Sequence, residues 1–280
     1  MKEAQLYLNQ ELSGIYNEPE LQSIIRLILS HCTGLSYTGL IVNKNTTFSE
    51  NQRDILKNYV SLLKSGMPVQ YVLGETSFCN LTIAVGPEVL IPRPETEELV
   101  DWAVHILPTG AKVLDIGTGS GCIAIALKYL RPDGDVSACD ISTKALTVAA
   151  ENAKRNAVDV CFFQHDILTK TLPVSPLDLI ISNPPYIPAS EAGEMEAQVT
   201  NFEPGLALFV PDEDPLLFYQ TIARQSLHVL SESGQLLVEV HRSYARECVK
   251  MLEREGFTDI ELRKDIYGNE RMIRAVKTIF

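Results

Sequence analysis

Beyond residue 92 the chain predicts an α/β fold: a doubly wound, mainly parallel, seven-stranded sheet with helices on both faces. A small N-terminal helical bundle and a linking β-hairpin precede it. Three observations carry this reading. Short apolar runs of strand length alternate with stretches of helical spacing from Val113 to Val276. A glycine-rich turn, Gly117-Thr118-Gly119-Ser120-Gly121, follows the first of these runs and opens directly into a helical pattern. Before residue 70 the apolar residues instead recur every three or four positions, as one face of a helix requires.

Taken in order, Leu21, Ile24, Ile25, Ile28 and Leu29 form one such stripe. Ser49 followed by Gln52 has the spacing of a capping box and opens a helix carrying Ile55, Tyr59, Leu62 and Leu63, which ends near Gly66 and Pro68. Residues 1–70 are thus expected to be one helical domain, serving to dock a substrate. Across 71–91 the period shortens to alternation (Phe78, Leu81, Ile83, Val85), punctuated by Gly74, Asn80 and Gly86, which predicts a hairpin linker. The third domain spans 92–280. Pro94 suits the first turn of a helix over 95–105. Strands are expected over 113–116, 136–139, 161–164, 177–182, 235–240, 258–262 and 272–276. Helices are expected over 123–130, 143–156, 215–230 and 244–255. Between 182 and 215 lies a long loop rich in Glu and Pro, and Gly268-Asn269 turns between the last two strands.

Composition bounds the function. The 280 residues are 45% hydrophobic and 21% charged, ordinary for a globular protein, and no apolar stretch approaches the roughly 20 residues a membrane span needs. A cytoplasmic monomer is expected. The six cysteines contain no Cys-x-x-Cys pair and the histidines no metal-binding array, so neither a disulfide framework nor a metal site is expected. A net charge of −12 argues against direct nucleic-acid binding, which normally shows a basic footprint.

The chemistry gathers at predicted strand ends, where open α/β sheets bind ligands. Asp115 precedes the glycine-rich turn, whose third glycine comes one residue early for a dinucleotide fingerprint. A carboxylate there repels a pyrophosphate but suits a cation. Asp140 ends the second strand, where an acid can accept hydrogen bonds from ribose hydroxyls, and Asp166 follows the third, in reach of an adenine amino group. A ligand with ribose, adenine and positive charge is S-adenosylmethionine. The fourth strand ends in Asn183-Pro184-Pro185-Tyr186. An amide oxygen, a carbonyl on a residue lacking N–H, and a flat ring together could clamp a planar NH2 group. The plainer reading is a stiff turn, since Asn-Pro often starts one.

With these residues the chain resembles the class I S-adenosylmethionine methyltransferases, which are Rossmann-like, and specifically the peptide chain release factor glutamine methyltransferases. The likeness covers residues 68–280. It includes the 68–75 run Pro-Val-Gln-Tyr-Val-Leu-Gly-Glu, Ile91-Pro92-Arg93-Pro94-Glu95-Thr96-Glu97, the glycine-rich loop, the Asn-Pro-Pro-Tyr tetrapeptide, Phe202-Glu203-Pro204, and the 265–271 run Asp-Ile-Tyr-Gly-Asn-Glu-Arg. It implies methyl transfer to the side-chain amide of the glutamine in the Gly-Gly-Gln motif of bacterial release factors, its protein partners. It also implies a cofactor site formed by Asp115, Gly117, Thr118, Gly119, Ser120, Gly121, Asp140, Asp166, Ile167 and Asn183. Some relatives carry an aromatic just after the third-strand acid, where this chain has Ile167-Leu168. Asn183, Pro184 and Tyr186 are the expected catalytic residues. Asn183 and Pro184 would accept the two amide hydrogens while Tyr186 packs on the amide plane. These three with Pro185, Arg93 and Glu95 make the expected substrate site. The nearest rival, methylation of an adenine or guanine amino group in DNA or RNA, uses a similar clamp on a flipped base. The net acidity and residues 92–97 speak against it. A nicotinamide-dependent oxidoreductase is disfavoured by the glycine spacing and by Asp115, and a non-catalytic module by the intact clamp.

Overall fold

The computed structural model describes residues 1–174 and 176–278, and it divides into two compact units. One is Met1–Gly74 with Ala197–Phe202; the other is Glu75–Glu196 with Glu203–Phe280. The first unit is helical: α1 (Lys2–Leu12), α2 (Glu18–Thr33), α3 (Tyr37–Val42), α4 (Glu50–Lys64) and α5 (Val69–Leu73). The stripe from Leu21 to Leu29 is buried against Leu8, Leu12, Leu56 and Leu63. Asn17 caps α2 by accepting from Glu20 N, and the Ser49/Gln52 box closes reciprocally at 3.2 and 2.9 Å. Residues 71–73 belong to α5, not to the hairpin, because Gly74 in the left-handed region (φ 74°) ends that helix.

The second unit opens with a hairpin, β1 (Glu75–Phe78) and β2 (Leu81–Ala84), turned by Cys79 and Asn80, both at positive φ as a two-residue hairpin turn requires. In chain order there follow α6 (Pro94–Ile106), β3 (Lys112–Ile116), α7 (Cys122–Leu130), β4 (Asp135–Asp140), α8 (Thr143–Arg155), β5 (Cys161–Gln164) and β6 (Leu177–Ser182). Beyond them come β7 (Ile187–Pro188), α9 (Ala197–Phe202, grouped with the first unit), β8 (Phe209–Val210), α10 (Leu217–Val229), β9 (Leu230–Glu239), α11 (Ala245–Glu255), β10 (Phe257–Lys264) and β11 (Glu270–Lys277).

Seven strands form one sheet in the order β10-β11-β9-β6-β3-β4-β5, in which β11 runs antiparallel to both of its neighbours. Strands β3 and β6 are buried almost throughout, which is why they read as continuous apolar runs rather than alternating ones. The long loop after β6 is not featureless, since β7 and β8 pair as a two-residue parallel ladder within it. Strand β9 begins five residues before the apolar run at Gln235. Its first half holds Ser231, Glu232 and Ser233, which spell a turn and fall in a register shift between the β6 pairings of Leu230 and Gln235. Among the described residues no helix is long and apolar enough to cross a membrane.

One side chain ties the hairpin to the glycine-rich loop. Asn152 on α8 is 1% exposed; its Oδ1 accepts from Ala84 N at 2.7 Å, and its Nδ2 donates to Ala84 O and Ser120 O at 2.9 Å each. Asn152→Ala leaves three backbone groups without that partner, and buried groups left unpaired cost about 1–3 kcal/mol apiece at most. The variant is expected to lose about 2–4 kcal/mol of stability, seen as a lower urea midpoint at unchanged slope.

Candidate active site

Register brings the site together. Strand β3 is the switch point of the sheet, since the chain builds outward from it to β4 and β5 on one side and to β6 and β9 on the other. Ligands in such sheets bind beyond the carboxyl ends at this point. Ile116 pairs with Ser182 on one side and Cys139 on the other, and Ser182 Oγ donates to Ile116 O at 2.7 Å. Gly117, Asn183 and Asp140 therefore leave adjacent strands side by side. Gln164 pairs with Asp140, which carries the chain on to Asp166 at the next strand end.

These ends frame a cavity of about 200 Å³. Its lining includes Gly117 to Ser120, Asp140, His165 to Leu168, Asn183, Pro184 and Pro185, with Pro92, Thr96 and Leu206 among the others. Gly117 and Gly119 lie at φ 72° and 54°, and a Cβ on either would meet nothing within 4 Å. Gly121 differs: a Cβ there would stand 3.0 Å from that of Ala149, so this glycine serves the contact between α7 and α8. Asp140 Oδ2 accepts from Gly119 N and its Oδ1 from Ser142 N, both at 2.9 Å. Each oxygen retains a lone pair for a ligand. Burial raises the Asp140 carboxyl above its ordinary value against the pull of those amides. Asp166 accepts from Thr169 Oγ1 at 2.7 Å and Leu168 N at 3.0 Å, and the Thr169 hydroxyl leads in holding its carboxyl low.

Asp115 does not line the cavity. It is fully buried, with Oδ2 accepting from Thr118 Oγ1 at 2.6 Å. Burial pushes its carboxyl up to about 7, opposed by Thr118 and reinforced by the Asp140 charge. The folded protein thus holds a proton that the unfolded chain loses near pH 4. Its stabilising contribution is complete below that pH and is lost as pH rises through about 7. Asp115→Asn keeps an acceptor for Thr118 and cannot ionise. Urea titrations are expected to show the variant gaining about 4 kcal/mol over the parent at pH 8 and little near pH 4.

On the other flank the structure adds partners that the sequence pattern did not single out. Asn183 Nδ2 donates to Thr96 Oγ1 at 3.2 Å, and Thr96 Oγ1 donates to Glu239 Oε2 at 2.7 Å. Tyr186 OH donates to Glu239 Oε1 at 3.2 Å. Tyr186 therefore packs on the core beside β9, with its ring against that cluster, and it is not among the residues lining the cavity. Burial holds its hydroxyl far above the ordinary tyrosine value, aided by the Glu239 charge. Glu239 is 1% exposed, and burial raises its carboxyl against Thr96, Arg271 and Tyr186, which favour the ionised form. Arg93 and Glu95 also stand off the cavity. Arg93 Nη2 donates to Glu203 Oε1 at 2.6 Å, and Glu203 Oε2 accepts from Ile91 N at 3.1 Å. That staple fixes the two wall segments around Pro92 and Pro204 to each other.

Comparison with known proteins agrees with this arrangement. Residues 3–74 match the family model described as the PrmC N-terminal domain, and residues 78–201 match the methyltransferase small domain. The release factor glutamine methyltransferase of Bacteroides thetaiotaomicron is 40% identical over 270 residues, covering 96% of this chain and 97% of the relative. The chain belongs to the release factor glutamine methyltransferase family. The family member from Flavobacterium psychrophilum is 41% identical over 271 residues, 95% of each chain. A methyltransferase from Pyrococcus furiosus shares the fold, with a TM-score of 0.54 at 17% identity over 83% of this chain and 100% of that one.

For a release factor glutamine methyltransferase the sequence-level site is thus gathered in two tiers. Gly117 to Ser120, Asp140, Asp166, Ile167, Asn183, Pro184 and Pro185 face the cavity, while Asp115, Gly121, Tyr186, Arg93 and Glu95 stand behind or beside it. Thr96 and Glu203, which the sequence shows only as members of motifs, and Glu239, which no motif marks, join the site through their hydrogen bonds. The available signal for Glu239 was a single acid inside the apolar run Leu236-Leu237-Val238-Glu239-Val240, and for Thr96 its place within the motif between Arg93 and Glu97.

Proposed function

We propose that the chain transfers a methyl group from S-adenosylmethionine to the side-chain amide nitrogen of the glutamine in the Gly-Gly-Gln motif of bacterial peptide chain release factors. The observation that carries this is the carboxamide of Asn183 beside Pro184, one strand away from the glycine-rich loop in a single cavity. The residues present fit the cofactor. Gly117 and Gly119 leave open space where side chains would intrude, Asp140 keeps lone pairs for ribose hydroxyls, and His165 Nε2 is a buried polar atom with no protein partner at the cavity. Gly117 to Ser120, Asp140, Asp166 and Ile167 would hold it. When bound, it supplies an electrophilic methyl carbon on a sulfonium.

The chain's own part is orientation. An amide nitrogen is a weak nucleophile because its lone pair is delocalised into the carbonyl. Asn183 Oδ1 and the Pro184 carbonyl accept the two amide hydrogens and so fix where that lone pair points; positioning of this kind supplies several kcal/mol of a barrier. No protein base is needed before transfer, since the methylated amide is cationic and sheds its proton readily. Residues 1–74 are the part we assign to docking the release factor.

Labelled S-adenosylmethionine, incubated with the chain and either a recombinant release factor or nucleic acid, tests the proposal. Label on the glutamine peptide of the factor is expected. Label on the nucleic acid with none on the factor overturns it in favour of base methylation.

A further inference from the structure

The hydrogen-bond chain behind Asn183 has a direction, and that direction determines which end of the Asn183 carboxamide faces substrate. An ionised carboxylate only accepts. Both hydroxyls that touch Glu239, on Thr96 and Tyr186, must therefore spend their single proton on it. Thr96 Oγ1 is left with lone pairs alone toward Asn183. Asn183 must meet it with Nδ2, at 3.2 Å, which leaves Oδ1 as the end directed to the cavity. Three elements distant in sequence are enlisted: the first turn of α6, the end of β6 and the end of β9. Burial raises the Glu239 carboxyl, while the Thr96 and Tyr186 hydroxyls and the nearby Arg271 favour its charged state.

We propose that Glu239 and Thr96 are positioning residues that set the acceptor polarity of the cleft, so that it takes a side chain bearing NH2 and turns away a side-chain carboxylate. The inference rests on the glutamine-methylating reading above and adds the origin of its specificity. A site of paired acceptors discriminates by leaving buried groups unmatched when the wrong partner enters, an effect worth roughly 10⁴-fold in the strongest cases. Reversing the chain abolishes it. In Glu239→Gln only one of the two hydroxyls keeps its acceptor; with the amide NH2 turned to Thr96 Oγ1, the Thr96 proton moves to Asn183 Oδ1 and the Asn183 NH2 swings to the cavity. In Thr96→Val the relay is cut and Asn183 is free to flip. Thr96→Ser restores the hydroxyl.

The experiment uses the full chain saturated with S-adenosylhomocysteine. Calorimetry gives the affinities for two peptides that differ only in Gly-Gly-Gln or Gly-Gly-Glu, and thermal melting gives the stability. Single-turnover methyl transfer to the glutamine peptide is measured alongside. The parent chain is expected to prefer the glutamine peptide by roughly 100-fold or more. In Thr96→Val and Glu239→Gln that ratio is expected to shrink at least about tenfold and transfer to slow about 10- to 100-fold. Cofactor affinity should stay within about twofold, and Thr96→Ser should recover ratio and rate. Thr96→Val carries the test if Glu239→Gln does not fold. A Thr96→Val variant that keeps the parent's ratio overturns the proposal, whether it keeps full activity or loses both peptides and cofactor equally. A parent chain that methylates no glutamine peptide is a separate result, which removes the functional reading and this inference together.

Discussion

Asn183→Ala is expected to slow methyl transfer by roughly 10²–10⁴-fold while leaving the fold in place. The alanine removes the oxygen that accepts one amide hydrogen of the incoming glutamine, and nothing else at the end of β6 can replace it. The structural loss is small by comparison. Thr96 forfeits one donor, but its own hydroxyl remains satisfied by Glu239 at 2.7 Å. The cost to stability should not exceed about 1–2 kcal/mol. Cofactor affinity is expected to fall only a few-fold, because Asn183 shares the cavity wall with the glycine-rich loop and Asp140. Rapid-quench single-turnover kinetics, paired with calorimetry on the cofactor, separate these quantities. A variant that transfers methyl within threefold of the parent rate removes Asn183 from the mechanism.

Asp140→Ala should act on the other half of the reaction. Its carboxylate does two jobs at once: it holds Gly119 N and Ser142 N, and it faces the cavity with its remaining lone pairs. Losing it unpins the glycine-rich loop and strips the ribose hydroxyls of their acceptor. Charged hydrogen bonds are worth about 1.5–3 kcal/mol each, so cofactor affinity is expected to weaken at least about 100-fold. Asp140→Asn keeps one acceptor oxygen and should fall between the two. An alanine variant that binds S-adenosylmethionine normally would contradict the assignment.

What was legible in the sequence was whatever burial forces to be monotonous. Strand β6 was readable to the residue because it is a compact, buried apolar run between polar breaks, and the glycine-rich loop announced itself through positions no other residue fills easily; β5, a half-exposed edge strand, was legible from its Phe162-Phe163 pair instead. The β7–β8 ladder escaped because two residues per strand leave no periodicity to detect. The first half of β9 escaped because Ser233, at φ 61°, and its neighbours form the irregularity between the paired residues Leu230 and Gln235 and so look like a turn. Within the site, the residues at strand tips could be found by position along the chain. Thr96 and Glu239 could not, because their meaning lies in a contact spanning 143 positions. Tyr186 shows the same limit from the other side: its motif suggested a flat surface for substrate, whereas its hydroxyl is committed to Glu239.

The reversed strand β11 has a kinetic corollary. Within the sheet β10 touches only β11, so it joins as half of a β10–β11 ribbon, formed before or after β11 reaches β9. Such ribbons close in about 1–10 μs, long before a seven-membered sheet is complete. In either order β11 must reach β9 in register, with Met272 opposite Glu239. A slip of one residue on arrival would turn every side chain of β11 to the opposite face and carry Arg271 away from the acid it accompanies. Refolding followed by regain of glutamine methylation, rather than by helix signal, would time that docking.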